Sequence, residues 1–134
     1  MGRFLAVGGL VAAMLTGTAA PAGATLTSNT FSPSGGLTAK GRVATVSVLL
    51  GCTAPGSVRF TVTLTQGASS GVGHGGGKCT GQTETFTVRV PADGAGAFTA
   101  GPAQVCGHAV NQEPGGTQDT RDWCRSGGIT LHAS

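Results

Sequence analysis

The sequence predicts an all-β fold, an antiparallel sandwich of about seven short strands stapled by two disulfides. Three observations predict it. Apolar residues alternate with a period of two, turn residues recur about every ten positions, and four cysteines (Cys52, Cys79, Cys106 and Cys124) follow a leader of secretory character.

The leader spans residues 1–24. Arg3 is its positive n-region, an apolar stretch runs from Phe4 to about Leu15, and Ala22-Gly23-Ala24 is the favoured cleavage triplet, with Ala20-Pro21-Ala22 the near alternative. Thr16 and Thr18 interrupt the apolar run, so a membrane anchor is not expected. Residues 25–134 then form one domain. Its first strand is expected near 25–31, before the turn residues Pro33-Ser34-Gly35-Gly36. The next is clear: Ala44, Val46, Val48, Leu50 and Cys52 share one parity, while Thr45 and Ser47 take the other. After Ala54-Pro55-Gly56, Val58, Phe60, Val62 and Leu64 alternate with Arg59, Thr61, Thr63 and Thr65. Threonine suits the wet side of a strand because its β-branch is already stiff there. The glycine-rich run 71–77 is expected to be a flexible loop, followed by a short strand around Cys79. Phe86, Val88 and Val90 then alternate with Thr85, Thr87 and Arg89, up to a turn at Ala92-Asp93-Gly94. Further strands are expected across 103–110 and 129–131, on either side of Pro114-Gly115-Gly116.

This count and spacing fit an immunoglobulin-like sandwich, with a small barrel as the alternative. The Cys…Trp…Cys core signature of antibody domains is missing, since Trp123 sits beside the last cysteine. Four cysteines allow three pairings, and spacing alone does not choose. Sequential pairing, Cys52–Cys79 and Cys106–Cys124, is favoured because each bond then bridges neighbouring strands. The aromatic content is 4%, with no tyrosine, so the core must rest on Val, Leu and Ala and needs its staples.

Several segments together resemble small secreted Ig-like proteins of high-GC actinobacteria. They are Gly51-Cys52-Thr53-Ala54-Pro55-Gly56, the threonine-alternating strand ending at Gln66, Cys79-Thr80-Gly81-Gln82, and Phe98-Thr99-Ala100-Gly101-Pro102-Ala103. The resemblance covers most of the domain. It implies fold and export, and it transfers no functional residue. The closely spaced cysteine pairs of neocarzinostatin-type chromoproteins are absent.

Composition excludes some functions. The net charge of +3 is scattered rather than gathered into a stripe, which argues against nucleic acid and against a polybasic membrane segment. Gly67-Ala68-Ser69-Ser70-Gly71 fits G-x-S-x-G and His74-Gly75-Gly76-Gly77 fits a lipase oxyanion string. The order is reversed, however, and no strand-to-helix elbow is predicted. Gly77-Lys78 lacks the first glycine and the following helix of a phosphate loop. No C-x-x-C pair exists and His74 and His108 lack ligand spacing, so no zinc site is expected. Glu113, Asp119 and Asp122 likewise lack the spacing of a calcium loop.

One stretch has the composition of a binding hot spot: Asp119, Arg121, Asp122, Trp123 and Arg125. The alternative is that an aspartate pairs with a neighbouring arginine while Trp123 covers the disulfide. The expectation is a secreted domain with no catalytic residues, metal or cofactor, released from the membrane and acting through its surface on another extracellular or cell-envelope protein. Two alternatives are an inhibitor of extracellular hydrolases, whose rigid loops would lose little entropy on binding, and a small-ligand carrier of chromoprotein type.

Overall fold

Alternation becomes strand wherever one parity can be buried. In the computed structural model, which describes residues 25–94, 96–116 and 118–133, nine strands follow in order. They are β1 (Leu26–Phe31), β2 (Ser34–Thr38), β3 (Val43–Cys52), β4 (Ser57–Gln66), β5 (Ser69–Lys78), β6 (Thr83–Asp93), β7 (Gly101–Gln112), β8 (Gln118–Cys124) and β9 (Ile129–Ala133). The leader expected over 1–24 lies outside the described residues. The parity reading holds in β3, β4 and β6: Ala44, Val46, Val48, Leu50, Val58, Phe60, Val62, Leu64, Val88 and Val90 are all buried. Each such Val or Leu contributes about 1.5–3 kcal/mol by leaving water.

The strand order is β9-β2-β3-β6-β5-β4-β7-β8, with β1 added to β3 and β9 also pairing with β7. Hydrogen bonding therefore runs round a closed circuit, between the sandwich and barrel that the sequence left open. Two joins are narrow: β5 meets β6 only at Ser70↔Asp93 and Gly71↔Ala92, and β7 meets β9 over three residue pairs. All pairings are antiparallel except β2 with β9, which is parallel.

Three strands are unexpected and the short strand expected around Cys79 does not form, so nine stand against about seven. β2 begins at Ser34, inside the predicted turn; Gly35 lets it approach β3, since a Cβ there would lie 2.6 Å from the Thr45 carbonyl oxygen. β8 occupies a stretch where no strand is expected. The largest correction is β5. The run 71–77 is strand, paired with β4 along its whole length, and Cys79 falls just after it. Gly67 and Ala68 make a two-residue hairpin turn, Gly67 taking φ 60°. Gly71, Gly73, Gly75 and Gly77 all face inward. Added Cβ atoms would meet the Pro91 carbonyl oxygen at 2.2 Å, the Arg89 carbonyl oxygen at 2.5 Å, Phe60 at 2.5 Å and Phe86 at 3.0 Å. The glycines are there because β6 and the Phe60–Phe86 pair press on the β5 backbone.

The cysteines pair sequentially, Cys52–Cys79 and Cys106–Cys124. The first bond is buried and clamps the end of β3 to the segment after β5. The second joins directly opposed residues of β7 and β8 on the solvent side of the sheet, where Cys124 is exposed.

Candidate functional site

β8 pairs with β7 alone, in the register Cys106↔Cys124, Gly107↔Trp123, His108↔Asp122, Ala109↔Arg121 and Asn111↔Asp119. Strand alternation therefore divides the five candidate binding residues. Asp119, Arg121 and Trp123 share the parity of Gly107 and Ala109 on the core side, and Asp122 faces outward with Cys124.

The inward members hold β1. Trp123 stacks on Phe31 with ring centroids 5.1 Å apart. Gly107 makes room for it, since a Cβ there would sit 2.7 Å from the indole. The Asp119 carboxylate accepts the Leu26 N–H at 2.8 Å and stands 3.3 Å from the Arg121 guanidinium. Just beyond β8, Arg125 donates to the Gly128 carbonyl at 3.1 Å and the Phe31 carbonyl at 3.4 Å. Trp123 thus packs on β1 rather than over the disulfide, and Asp119 has the arginine partner that its composition suggested.

Asp122 belongs to a different group. Thr61 on β4 is paired on one side with His74 of β5 and on the other with His108 of β7; His108 is in turn paired with Asp122. The four side chains form one row across the outer face of the β5–β4–β7–β8 sheet. The Thr61 hydroxyl and His74 Nδ1 are 3.3 Å apart, and His108 Nδ1 and Asp122 Oδ1 are 2.6 Å apart. With a neutral imidazole, the second contact is an N–H donated to the carboxylate, which leaves His108 Nε2 with its lone pair. His108 and Asp122 are 49% and 76% exposed, so the pair adds little to stability. Its consequence is orientation of the ring.

Arg59, Thr61, His74, His108 and Val110 line a shallow depression of about 270 Å³ centred on this row. The neighbouring row is Val72, Thr63, Cys106 and Cys124, so the exposed disulfide braces the same face. Val72, 44% exposed, adds an apolar spot.

Sequence reasoning missed the row because its members lie 13 and 14 positions apart and meet only through strand register. The outward threonines of β4 were the available signal, once β5 is read as a strand. The hydrolase-like strings dissolve into the hairpin turn and β5, and Lys78 ends a strand with no helix after it. Of the residues considered for calcium, Asp119 and Asp122 lie on opposite sides of β8. Among the described residues, no three His, Cys, Asp or Glu side chains gather closely enough to hold a metal ion by themselves. No helix among them is long and apolar enough to cross a membrane. No protein-family model, curated protein or solved structure matches the chain.

Proposed function

We propose that the protein is a secreted, immunoglobulin-like, non-enzymatic domain that binds another extracellular or cell-envelope protein through the outer face of β5, β4, β7 and β8. The observation that carries this reading is the His74–Thr61–His108–Asp122 row. It sets polar and ionisable groups on a solvent-facing sheet beside Arg59 and Val72, within a face cross-braced by Cys106–Cys124. A braced face loses little conformational entropy when it docks. Two disulfides suit an oxidising compartment. The immunoglobulin-like reading is supported by β3 pairing with β1 and β6 while β4 pairs with β5 and β7. Asp122 is the one predicted binding residue retained in the surface, and Asp119, Arg121, Trp123 and Arg125 serve it by fixing β1 and β8.

The test is capture from the native culture medium, followed by affinity measurement with the purified partner. Thr61→Arg in the middle of the face should weaken binding at least tenfold, or about 1.4 kcal/mol. Thr85→Arg on the exposed side of β6 should leave it unchanged. Equal affinity for both variants overturns the proposal, as does a failure to capture any partner. The same variants, assayed against secreted proteases and glycosidases, decide whether the partner is an enzyme that the domain inhibits.

A further inference from the structure

We infer that the end of the sandwich opposite the Cys52–Cys79 bond holds a site for a small organic monoanion, a carboxylate on a compact apolar body, with Lys40 as its counter-charge. The inference is independent of the protein-partner reading. None of the lining residues belongs to the outer face of β5, β4, β7 and β8, and binding is measured on the domain alone.

A depression of about 500 Å³ opens where the β2–β3 turn, the segment before β7 and the end of β9 converge. Buried Leu37 and Phe98 form its floor, and exposed Ala39, Ala100 and Ala133 form its apolar sides. Two of the flanking segments are irregular, yet both are held. In the turn, the Arg42 N–H donates to the Ala39 carbonyl at 3.1 Å, and the Gly41 carbonyl accepts the Phe98 N–H at 2.8 Å. The segment before β7 is clamped by one side chain. The Gln66 amide donates to the Thr99 and Pro102 carbonyls at 2.8 and 3.1 Å and accepts the Thr99 N–H at 2.8 Å. β9 pairs with β2 through Ala133↔Leu37, which fixes the third side. Concave sites with preformed walls are the common form of small-molecule sites, because little must be ordered on binding.

The turn supplies a second observation. Ala39, Lys40 and Gly41 have φ of 51°, 57° and 82°, three consecutive residues in the left-handed region. Glycine adopts it freely, but Ala39 and Lys40 each carry a Cβ that is strained there. Glycine or asparagine at position 40 would suit this backbone better, so the shape of the turn does not explain the lysine. Strain of this kind gathers at ligand-holding sites. Among the residues lining the depression, Lys40 alone is charged, and it has no ion-pair partner among the described residues. One cation at the rim of an apolar hollow suits a ligand with one negative charge and an apolar body, and it repels an ammonium.

The experiment follows the amide resonances of the isotope-labelled domain during titration with sodium hexanoate. Butyrate, hexylammonium and inorganic phosphate are titrated at the same ionic strength. Expected is saturable binding of hexanoate at one site, shifting Gly41, Phe98, Thr99 and Ala133, with affinity falling up to about fourfold for each methylene removed. Hexylammonium and phosphate should bind at least about tenfold more weakly. Lys40→Gln removes the charge and keeps the stem, whereas Lys40→Gly also relieves the strain. Both should lose at least about tenfold in affinity. Lys40→Gly should unfold at or above the parental temperature, which excludes misfolding as the cause. Lys78→Gln, at the other end of the sandwich, should bind as the parent does. The inference is overturned by absence of saturable hexanoate binding, by phosphate or hexylammonium binding as tightly as hexanoate, by either Lys40 variant retaining parental affinity, or by a loss in Lys78→Gln.

Discussion

Replacing Gly73 with alanine tests whether the glycine run is a packed strand. A methyl at this position would lie 2.5 Å from the Arg89 carbonyl oxygen and 2.7 Å from Val88 Cγ1, where ordinary contact begins near 3.4 Å. The carbonyl belongs to the backbone of β6, which is held from its other side by β3 through Thr45↔Arg89, so it has no free direction in which to move. The strands must part next to the two-pair join at Ser70 and Gly71. Overpacking of this kind costs about 1–3 kcal/mol. Alanine also restricts the unfolded chain, returning about 0.4–1 kcal/mol. The balance is a loss centred near 1.3 kcal/mol and reaching about 2.6 kcal/mol, and at roughly 4–8 °C per kcal/mol the central value lowers the melting temperature by about 5–10 °C. Gly36→Ala is the matched control: a Cβ there meets nothing within 4 Å, so it should be neutral or slightly stabilising. Urea unfolding followed by circular dichroism measures both. If Gly73→Ala is as stable as Gly36→Ala, β6 does not press on β5 and the glycines do not serve close approach.

Mild reduction followed by alkylation and peptide mapping should show Cys106–Cys124 opening before Cys52–Cys79, because Cys124 is exposed while Cys52 and Cys79 are buried. Replacing both Cys106 and Cys124 by alanine should lower the unfolding free energy by about 3 kcal/mol in denaturant, from the loop that their separation of 18 residues closes. Asp119→Ala removes the acceptor of the Leu26 N–H and should cost about 1–3 kcal/mol. Faster hydrogen exchange confined to β1 would report it. Asn111 is fully buried with no partner for its Nδ2 among the described residues, and its Oδ1 lies 3.3 Å from Cys79 Sγ, a disulfide sulfur with no proton to donate. Asn111→Leu should therefore hold or raise stability by about 1 kcal/mol, and a clear loss in thermal unfolding would show that the amide has a partner after all.

Legibility in the sequence followed the location of the side chains. Where burial is carried by side chains, as in β3, β4 and β6, alternation identified the core parity residue by residue, including Cys52 on the inward side of β3. Where closeness is achieved by omitting side chains, the signal vanished. From Gly71 to Gly77 the inner parity of β5 is glycine, which has no hydrophobicity to alternate, and glycine is also the commonest mark of a loop. β8 was hidden for another reason. Its inward positions are Asp119, Arg121 and Trp123, which serve an edge strand that covers β1 rather than the centre of the core. A charged strand face of this kind has the composition of a recognition surface, and only the register with β7 reveals which way it points.

That register bears on function. Neighbouring charges on a strand alternate between faces, so the density of acids and arginines between 118 and 125 does not make one surface. Groups that act together come instead from different strands at one ladder level. β5 shows the rule most clearly. Its inward positions contribute no side chain to the core, so Val72, His74 and Lys78 on the outer face are free of any packing requirement from within. No demand of the core explains a histidine there, and none explains another on the far side of Thr61, backed at 2.6 Å by a carboxylate. Both imidazoles are therefore open to whatever approaches the face from solvent, and the Asp122 carboxylate sets the orientation in which His108 would meet it.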